Sequence, residues 1–177
     1  MSSRKLNVGC GKDIKEGWIN LDLVALPGVD VVCDIERTPL PFANEQFDEI
    51  LCKDVLEHVE YIPVLSELHR ILKVGGRLKI RVPHFTSRAS FADPTHKKIF
   101  TFRTFQFFVK NSEKGYYFNY HFEKISCIKI AFRKGVLCYN YLVEPVVNLC
   151  IKMMAFYEAT AFSRIFPADN IYVEFVK

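Results

Sequence analysis

The residues best suited to chemistry lie where three short strand-like segments end near the start of the chain: Gly9-Cys10-Gly11, Asp22 and Asp34. Because the carboxyl ends of parallel strands share one edge of an open α/β sheet, we expect these residues to converge. Glycines leave room for a ligand against the backbone, and amide N–H groups freed there can meet a carboxylate or phosphate. An ionised aspartate offers about four lone-pair sites. Asp22 can therefore accept from both hydroxyls of a ribose, and Asp34 from an adenine amino group.

The spacing after the glycines distinguishes between nucleoside cofactors. A dinucleotide fingerprint needs a third glycine three residues after Gly11, but that position is Ile14. Only six residues separate Gly11 from Trp18, which leaves little helix to hold a pyrophosphate at its N-terminus. S-adenosylmethionine, a nucleoside with an amino-acid tail and an uncharged linker, fits this pattern better than NAD.

The sequence pattern around these residues predicts strands that alternate with helices. This alternation predicts an α/β domain with a mostly parallel sheet. The link after Gly11 is shorter than a usual parallel crossover. Asp54 is a plausible helix N-cap, Pro63 suits the first turn of a following helix, and Gly75-Gly76 would stop it. Later in the chain we expect strands over 126–133, 136–143 and 171–176, with a helix over 146–162.

Composition and charge limit the classes of protein. Half of the 177 residues are hydrophobic and 25% are charged, which predicts one domain over residues 1–177. No apolar run is long enough to span a bilayer. Six scattered cysteines without a C-x-x-C pair, and a start without a signal core, indicate the cytoplasm. Residues 1–76 hold 8 Lys or Arg against 13 Asp or Glu, and residues 77–177 hold 16 against 7. An anionic acceptor in the second half would suit this asymmetry, as would two ordinary solvated surfaces.

Six segments resemble, in the same order along the chain, the successive motifs of class I S-adenosylmethionine-dependent methyltransferases. Within that class they resemble the group typified by ubiquinone-biosynthesis methyltransferases. They are LNVGCG at 6–11, GWINLD at 17–22, DI at 34–35 with LPF at 40–42, FDEI at 47–50, DVLEHV at 54–59 and ELHRILKVGGRL at 67–78. The resemblance covers residues 4–84, and it is specific as a set because all six motifs occur in order. Residues 85–177 would then carry the acceptor site.

This resemblance implies a Rossmann-like, seven-stranded, mostly parallel sheet with an antiparallel last strand in a three-layer sandwich. It also implies cofactor roles for matching residues. Gly9, Cys10 and Gly11 would face the methionine moiety, and Asp22 the ribose. Asp34 and Ile35 would contact the adenine, and Lys53 and Asp54 would lie beside the cofactor.

Candidate acceptor-side residues follow the fifth strand. His84 and His96 are candidates for a general base, and each is equally well explained as a hydrogen-bonded loop histidine. His58 and His69 fall in helical stretches, where a structural role is expected. No His, Cys, Asp or Glu spacing fits a metal site, so we predict none.

Ten of the 25 aromatic residues fall between Phe100 and Phe122, interleaved with basic residues that include Lys114. This segment fits an acceptor pocket for an aromatic, lipid-like or anionic small molecule, a surface for single-stranded nucleic acid, or a buried layer over the sheet. We expect a methyltransferase for a small molecule. A nucleic-acid methyltransferase and a non-catalytic cofactor-binding partner subunit remain as alternatives.

Overall fold

Seven strands form a single mixed sheet in the computed structural model, which describes residues 4–112, 115–135 and 137–177. The strands are β1 (Lys5–Val8), β2 (Ile19–Asp22), β3 (Val31–Val32), β4 (Phe47–Lys53), β5 (Leu72–Pro83), β6 (Lys124–Ala131) and β7 (Asn170–Val176). Their order across the sheet is β3-β2-β1-β4-β5-β7-β6. β1 to β5 pair in parallel and β7 is antiparallel to both its neighbours. The expected Rossmann-like α/β sheet with an antiparallel last strand is confirmed.

Helices connect and cover the strands. The α-helices are α1 (Tyr61–Ile71), α2 (Ala89–Ala92), α3 (Asn140–Val147), α4 (Ile151–Ala159) and α5 (Phe162–Ile165). Short 3-10 helices span Leu56–His58, Phe102–Phe108 and Gly115–Tyr117. None of the described helices is long and apolar enough to cross a membrane.

The short link between β1 and β2 contains no helix, although the two strands are parallel neighbours. Two buried asparagines hold it instead. Asn7 Nδ2 donates to the carbonyl of Asp13 at 2.8 Å and to Asn20 Oδ1 at 3.1 Å, and Asn20 Oδ1 also accepts from the Lys15 N–H at 2.9 Å. These bonds pair backbone groups of the link that a crossover helix would have paired within itself.

Two details of the predicted helical region are wrong. Asp54 does not cap a helix, because its backbone is left-handed (φ +53°) and its carboxylate pairs with Arg81. The helix after it is a single 3-10 turn, and α1 begins at Tyr61 with Pro63 in its first turn, as predicted. α1 also ends at Ile71, before Gly75-Gly76, which lie within β5.

The strand predicted over 136–143 is also wrong: none of residues 137–143 is in a strand, and α3 begins at Asn140; Val136 lies outside the described residues. Side chains from this part of the chain bind the edge strand β6. Asn148 accepts from the Ile130 N–H at 2.8 Å and donates to its carbonyl at 2.7 Å, and Glu144 accepts from the Phe132 N–H at 3.0 Å. No further strand can pair where these backbone groups are already bonded. The predicted helix over 146–162 is correspondingly divided between α3, α4 and α5.

Aromatic side chains between residues 100 and 122 build much of the core. Phe100, Phe102, Phe105, Phe108 and Phe122 are each no more than 1% exposed. Phe122 stacks on Phe175 of β7 with ring centroids 4.4 Å apart. Of the three interpretations of this segment, the described residues support the buried layer over the sheet; Lys114 lies outside them.

The basic residues that alternate along β5 lie on the other face of the sheet, where each has an acidic partner. Arg77 pairs with Glu174 at 2.7 Å, Lys79 with Glu49 at 2.5 Å, and Arg81 with Asp54. These side chains are partly exposed, so the pairs explain the alternation without contributing much to stability.

His69 on α1 makes stability depend on acidity. Burial, with Lys177 nearby, lowers the pKa of His69 to about 4, whereas an unfolded histidine titrates near 6.5. As pH falls from about 6.5 to 4 the unfolded chain takes up a proton that the folded chain does not, so stability is lost over that window. Between pH 7.5 and 5, urea melts should show the wild type losing roughly 1–2 kcal/mol more than His69→Gln. Equal losses in the two proteins would show that His69 does not contribute.

Candidate functional site

A cavity of about 410 Å³ lies at the carboxyl ends of β1 to β4, where the sequence placed the site. It is lined by Gly9, Leu21, Asp22, Leu23, Cys33, Asp34, Ile35, Glu36, Asp54, Val55, His58, Val59 and Lys97. We call this space the first cavity. Five of the eight predicted cofactor-binding residues line it: Gly9, Asp22, Asp34, Ile35 and Asp54.

Asp22 at the end of β2 is held by two backbone amides. Its Oδ2 accepts from the Gly11 N–H at 2.7 Å and its Oδ1 from the Val24 N–H at 3.0 Å. Each carboxylate oxygen keeps a second lone pair, so the side chain is fixed in direction and can still accept two further hydrogen bonds. That remaining capacity matches the two hydroxyls of a ribose.

Gly9 is required by a close approach. Its φ is +62°, and a Cβ built on it would lie 2.2 Å from Cγ2 of Val55. Val55 therefore packs directly against the backbone of the glycine turn and forms part of the cavity wall. Any other residue at this position would displace Val55 and would also hold a strained backbone.

Asp34 and Ile35 form the far end of the first cavity. Asp34 Oδ1 accepts from the Glu36 N–H at 3.0 Å, which orients the carboxylate, and Arg37 approaches its Oδ2 at 3.3 Å. Leu23 lies at the mouth with 65% of its surface exposed. An apolar side chain exposed beside two carboxylates can cover the face of a planar base. Leu23 was not among the predicted site residues. The sequence feature that could have indicated it is its position, as an apolar residue directly after Asp22.

The other three predicted cofactor-binding residues do not line the first cavity. Cys10 is buried, and its N–H donates to the Leu21 carbonyl at 3.0 Å. Gly11 donates its N–H to Asp22, and Lys53 pairs with Asp13 at 3.3 Å. The amides of the turn thus meet the protein's own acceptors, and Gly11 acts by orienting Asp22.

A second cavity, of about 600 Å³, adjoins the first, and Asp54 and His58 line both. Its other lining residues are Glu57, Arg81, Pro83, Ala89, Ala92, Asp93, Pro94, His96, Arg133, Asp169 and Asn170. Nine of its thirteen lining residues carry a polar or charged side chain, and none of them comes from the described part of the aromatic segment 100–122. The two cavities are therefore suited to two different molecules that meet at Asp54 and His58.

Asp54 at this junction is fixed from two sides. Its N–H donates to the Arg81 carbonyl at 2.9 Å, and Arg81 binds its carboxylate with Nε at 2.8 Å and with a second guanidinium nitrogen. The pairing raises the pKa of Arg81. A left-handed backbone at a non-glycine residue is uncommon and is often found at functional sites.

Of the two candidate bases, the structure brings His96 to the second cavity and leaves His84 away from it. His84 is 0% exposed, with Nδ1 bonded to Thr86 Oγ1 at 2.7 Å and Nε2 to Glu158 at 3.1 Å. Both of its ring nitrogens are hydrogen-bonded within the protein, so we assign His84 a structural role. His96, by contrast, has a buried Nδ1 without a hydrogen-bond partner among the described residues.

Glu57, His58 and His96 form a cluster in the second cavity that sequence spacing did not reveal. One potential ligand atom from each lies within 4.8 Å of the others. Glu57 is 1% exposed, and neither of its carboxylate oxygens has a partner in the part of the chain that the structure describes. Burial raises the pKa of Glu57 to about 7. Burial, with His96 beside it, lowers the pKa of His58.

A further cavity, of about 310 Å³, lies among α3, α4 and α5. Its lining is apolar and consists of Leu142, Val143, Val146, Val147, Met153, Phe156, Tyr157, Phe162 and Phe166. It offers no charged side chain to chemistry.

Sequence comparison matches residues 10–80 to a family described as a methyltransferase domain. This segment contains β2 to β4, α1 and most of β5. A curated relative, an uncharacterized protein of Methanocaldococcus jannaschii, is 51% identical over 43 residues, which cover 24% of this chain. The match spans only 19% of that relative's length.

Solved structures share the fold over the whole chain. A S-adenosylmethionine-dependent methyltransferase from Archaeoglobus fulgidus is 17% identical with a TM-score of 0.63, covering 99% of this chain and 86% of its own. The YcgJ protein from Bacillus subtilis is 14% identical with a TM-score of 0.61, covering 99% and 92%. At these identities the likeness establishes the shared fold.

Proposed function

We propose that the chain is a class I S-adenosylmethionine-dependent methyltransferase, and that it transfers the cofactor's methyl group to a small polar acceptor held in the second cavity. The observation that carries the proposal is the junction of the two cavities at Asp54 and His58. A transferase needs donor and acceptor sites that meet, because the reacting atoms must be aligned and close.

The residues of the first cavity fit the cofactor. Asp22 is fixed in place with two acceptor positions free for a ribose, and Asp34 offers a carboxylate to an amino group at the far end. Leu23 and Ile35 supply apolar surface between the two acids. When bound, S-adenosylmethionine supplies a methyl group on a sulfonium whose departure leaves a neutral thioether.

The protein's part in the reaction is then to align and to handle one proton. Asp22 and Asp34 hold the two ends of the nucleoside, and the paired Asp54 and Arg81 form a rigid wall at the junction. His96 lines the second cavity, and its buried Nδ1 has no hydrogen-bond partner among the described residues. We therefore assign activation of the acceptor to His96, with Glu57 beside it.

The acceptor class follows from the lining of the second cavity. Carboxylates from Glu57, Asp93 and Asp169, with Arg133, would leave an apolar ligand poorly matched and suit a molecule with hydroxyl or amino groups. The volume of about 600 Å³ is in the range of sites for small molecules. A polar acceptor replaces the aromatic or lipid-like one expected from residues 100–122, whose described phenylalanines lie largely in the core.

Transfer of radioactive label tests the acceptor class. The protein would be incubated with methyl-labelled S-adenosylmethionine and, separately, with small-molecule, RNA and protein fractions of the source cells. We expect enzyme-dependent label in the small-molecule fraction. Label confined to RNA would contradict the proposal and favour a nucleic-acid methyltransferase, for which the basic second half of the chain is the supporting observation. No label in any fraction would favour the non-catalytic partner subunit.

His96→Ala should lower the rate of label transfer by about 100-fold or more, because a positioned proton-accepting group contributes on that scale. Its affinity for S-adenosylhomocysteine should stay within about threefold, since His96 does not line the first cavity. His121→Gln is a matched control, because that ring binds the Gly115 carbonyl away from both cavities. A His96→Ala protein with the wild-type rate would remove this residue from the mechanism.

Three predictions from the sequence remain predictions. They are a single domain over residues 1–177, a cytoplasmic location, and a resemblance to the ubiquinone-biosynthesis group of methyltransferases.

A further inference from the structure

The cluster in the second cavity has the composition of a metal site. Two imidazoles and one carboxylate are the donors that zinc, cobalt, manganese and iron prefer, whereas magnesium and calcium favour oxygen ligands alone. Glu57, His58 and His96 bring one such atom each to within 4.8 Å of the others. Atoms bound to one ion at about 2.0–2.2 Å lie roughly 3–4 Å apart, so the cluster needs to contract by about 1 Å. Rotation of side chains supplies a movement of that size.

Glu57 gives an independent indication that this cluster binds a ligand. Its side chain is 1% exposed and both carboxylate oxygens lie without partners among the described residues. A buried polar group in that condition costs free energy unless something binds it. A cation between Glu57 and the two rings would satisfy both this carboxylate and the unpaired Nδ1 of His96.

Hydrogen bonds behind the cluster prepare His58 as a ligand. Thr95 Oγ1 donates to Asp93 Oδ1 at 2.6 Å, so the proton in the 2.8 Å contact between Thr95 Oγ1 and His58 Nδ1 must come from the ring. Nε2 of His58 then carries the free lone pair. A histidine that donates its other N–H toward a carboxylate is the usual arrangement around bound metals.

We propose that Glu57, His58 and His96 bind a divalent transition-metal ion at the acceptor side of the active site. Three protein ligands leave at least one coordination position open, as in metal sites that act on substrates. All three residues line the second cavity, and His58 also lines the first. This inference rests on the proposed function and deepens it: the acceptor would bind the ion through a hydroxyl oxygen.

The ion would also explain how His96 activates the acceptor. A hydroxyl bound to a divalent ion loses its proton to water more readily, so no separate base is needed. The acceptor oxygen then forms its bond to the methyl carbon as the carbon–sulfur bond breaks, and the electron pair of that bond stays on sulfur. The metal is not oxidised or reduced. The prediction from spacing that no metal binds is the expectation that this proposal replaces.

Titration of chelator-treated protein with Co²⁺ tests the proposal without an acceptor. We expect one equivalent of Co²⁺ to bind and to give visible absorption bands typical of nitrogen and oxygen ligands, without a thiolate charge-transfer band. Glu57→Gln and His96→Ala should each weaken binding by about 10-fold or more. Glu60→Gln is the matched control, because that carboxylate is exposed and pairs with Lys98 at 2.8 Å.

Binding of S-adenosylhomocysteine by the same proteins shows that each variant is folded. No Co²⁺ binding by wild-type protein that binds S-adenosylhomocysteine would overturn the metal proposal and leave the proposed function intact, with His96 acting as a base. Binding unchanged in both Glu57→Gln and His96→Ala would place any ion elsewhere and also overturn it. Failure of the wild type to bind S-adenosylhomocysteine would instead contradict the proposed function.

Discussion

Replacing Asp22 by alanine is expected to weaken the binding of S-adenosylhomocysteine by about 100-fold. Two hydrogen bonds from ribose hydroxyls to a carboxylate are worth about 3 kcal/mol together, and each 1.4 kcal/mol is a factor of ten. The carboxylate is already oriented by the N–H groups of Gly11 and Val24, so the wild-type protein gains these bonds without rearranging. Isothermal titration calorimetry measures the change directly.

Asp13→Ala provides the comparison for this variant. It removes an aspartate from the link between β1 and β2, but Asp13 is bound to Lys15 and Lys53 and does not line the first cavity. We expect its affinity to stay within about threefold of the wild type, because exposed ion pairs contribute little. An Asp22→Ala protein that is folded by circular dichroism and binds as tightly as Asp13→Ala would show that the ribose is not held at Asp22.

The second large effect is expected at Gly9. Gly9→Ala should abolish measurable binding of S-adenosylhomocysteine and lower the free energy of unfolding by about 2–4 kcal/mol. The new Cβ would lie 2.2 Å from Cγ2 of Val55, and the φ of +62° is unfavourable for alanine. Displacing Val55 deforms the wall of the first cavity, so binding and stability should fall together. Calorimetry and urea melts measure the two quantities.

Two further variants separate the clash from the backbone strain. Gly11→Ala has a similar φ of +49° but open space around its Cβ, so it should cost only about 1–2 kcal/mol of stability and retain binding. Gly9→Ala combined with Val55→Ala removes the colliding methyl group and should recover part of the affinity. A double variant no better than Gly9→Ala would show that the contact with Val55 is not the cause.

The cofactor-binding half of the site, which lines the first cavity, could be predicted from the sequence because its residues lie at the carboxyl ends of strands. Gly9, Asp22 and Asp34 follow three neighbouring parallel strands, and topology alone brings such positions to one edge. The sequence could not show that the amide of Gly11 would bind Asp22 and leave the cavity to other residues. That depends on the direction of single hydrogen bonds in a turn.

The acceptor half of the site, which lines the second cavity, was harder to predict because a loop brings its residues together. The N–H groups of Lys97 and Lys98 donate to the carbonyl of Glu57 at 2.7 and 3.2 Å, and this docking brings His96 beside Glu57 and His58. The periodicity of a helix or a strand relates residues only a few positions apart, so no pattern links His58 to His96, which lies 38 positions further along the chain. The strand prediction over 136–143 failed for a related reason: contacts of Glu144 and Asn148 with the edge of β6, rather than local propensity, decide the structure around α3.

A crystal structure of the complex with S-adenosylhomocysteine tests the central claim most directly, by the position of the bound sulfur. The account predicts ribose hydroxyls within hydrogen-bond distance of Asp22, the adenine beside Asp34, and the sulfur at the junction lined by Asp54 and His58, facing the second cavity. An adenosine bound away from both aspartates, or a sulfur separated from the second cavity by packed protein atoms, would contradict it.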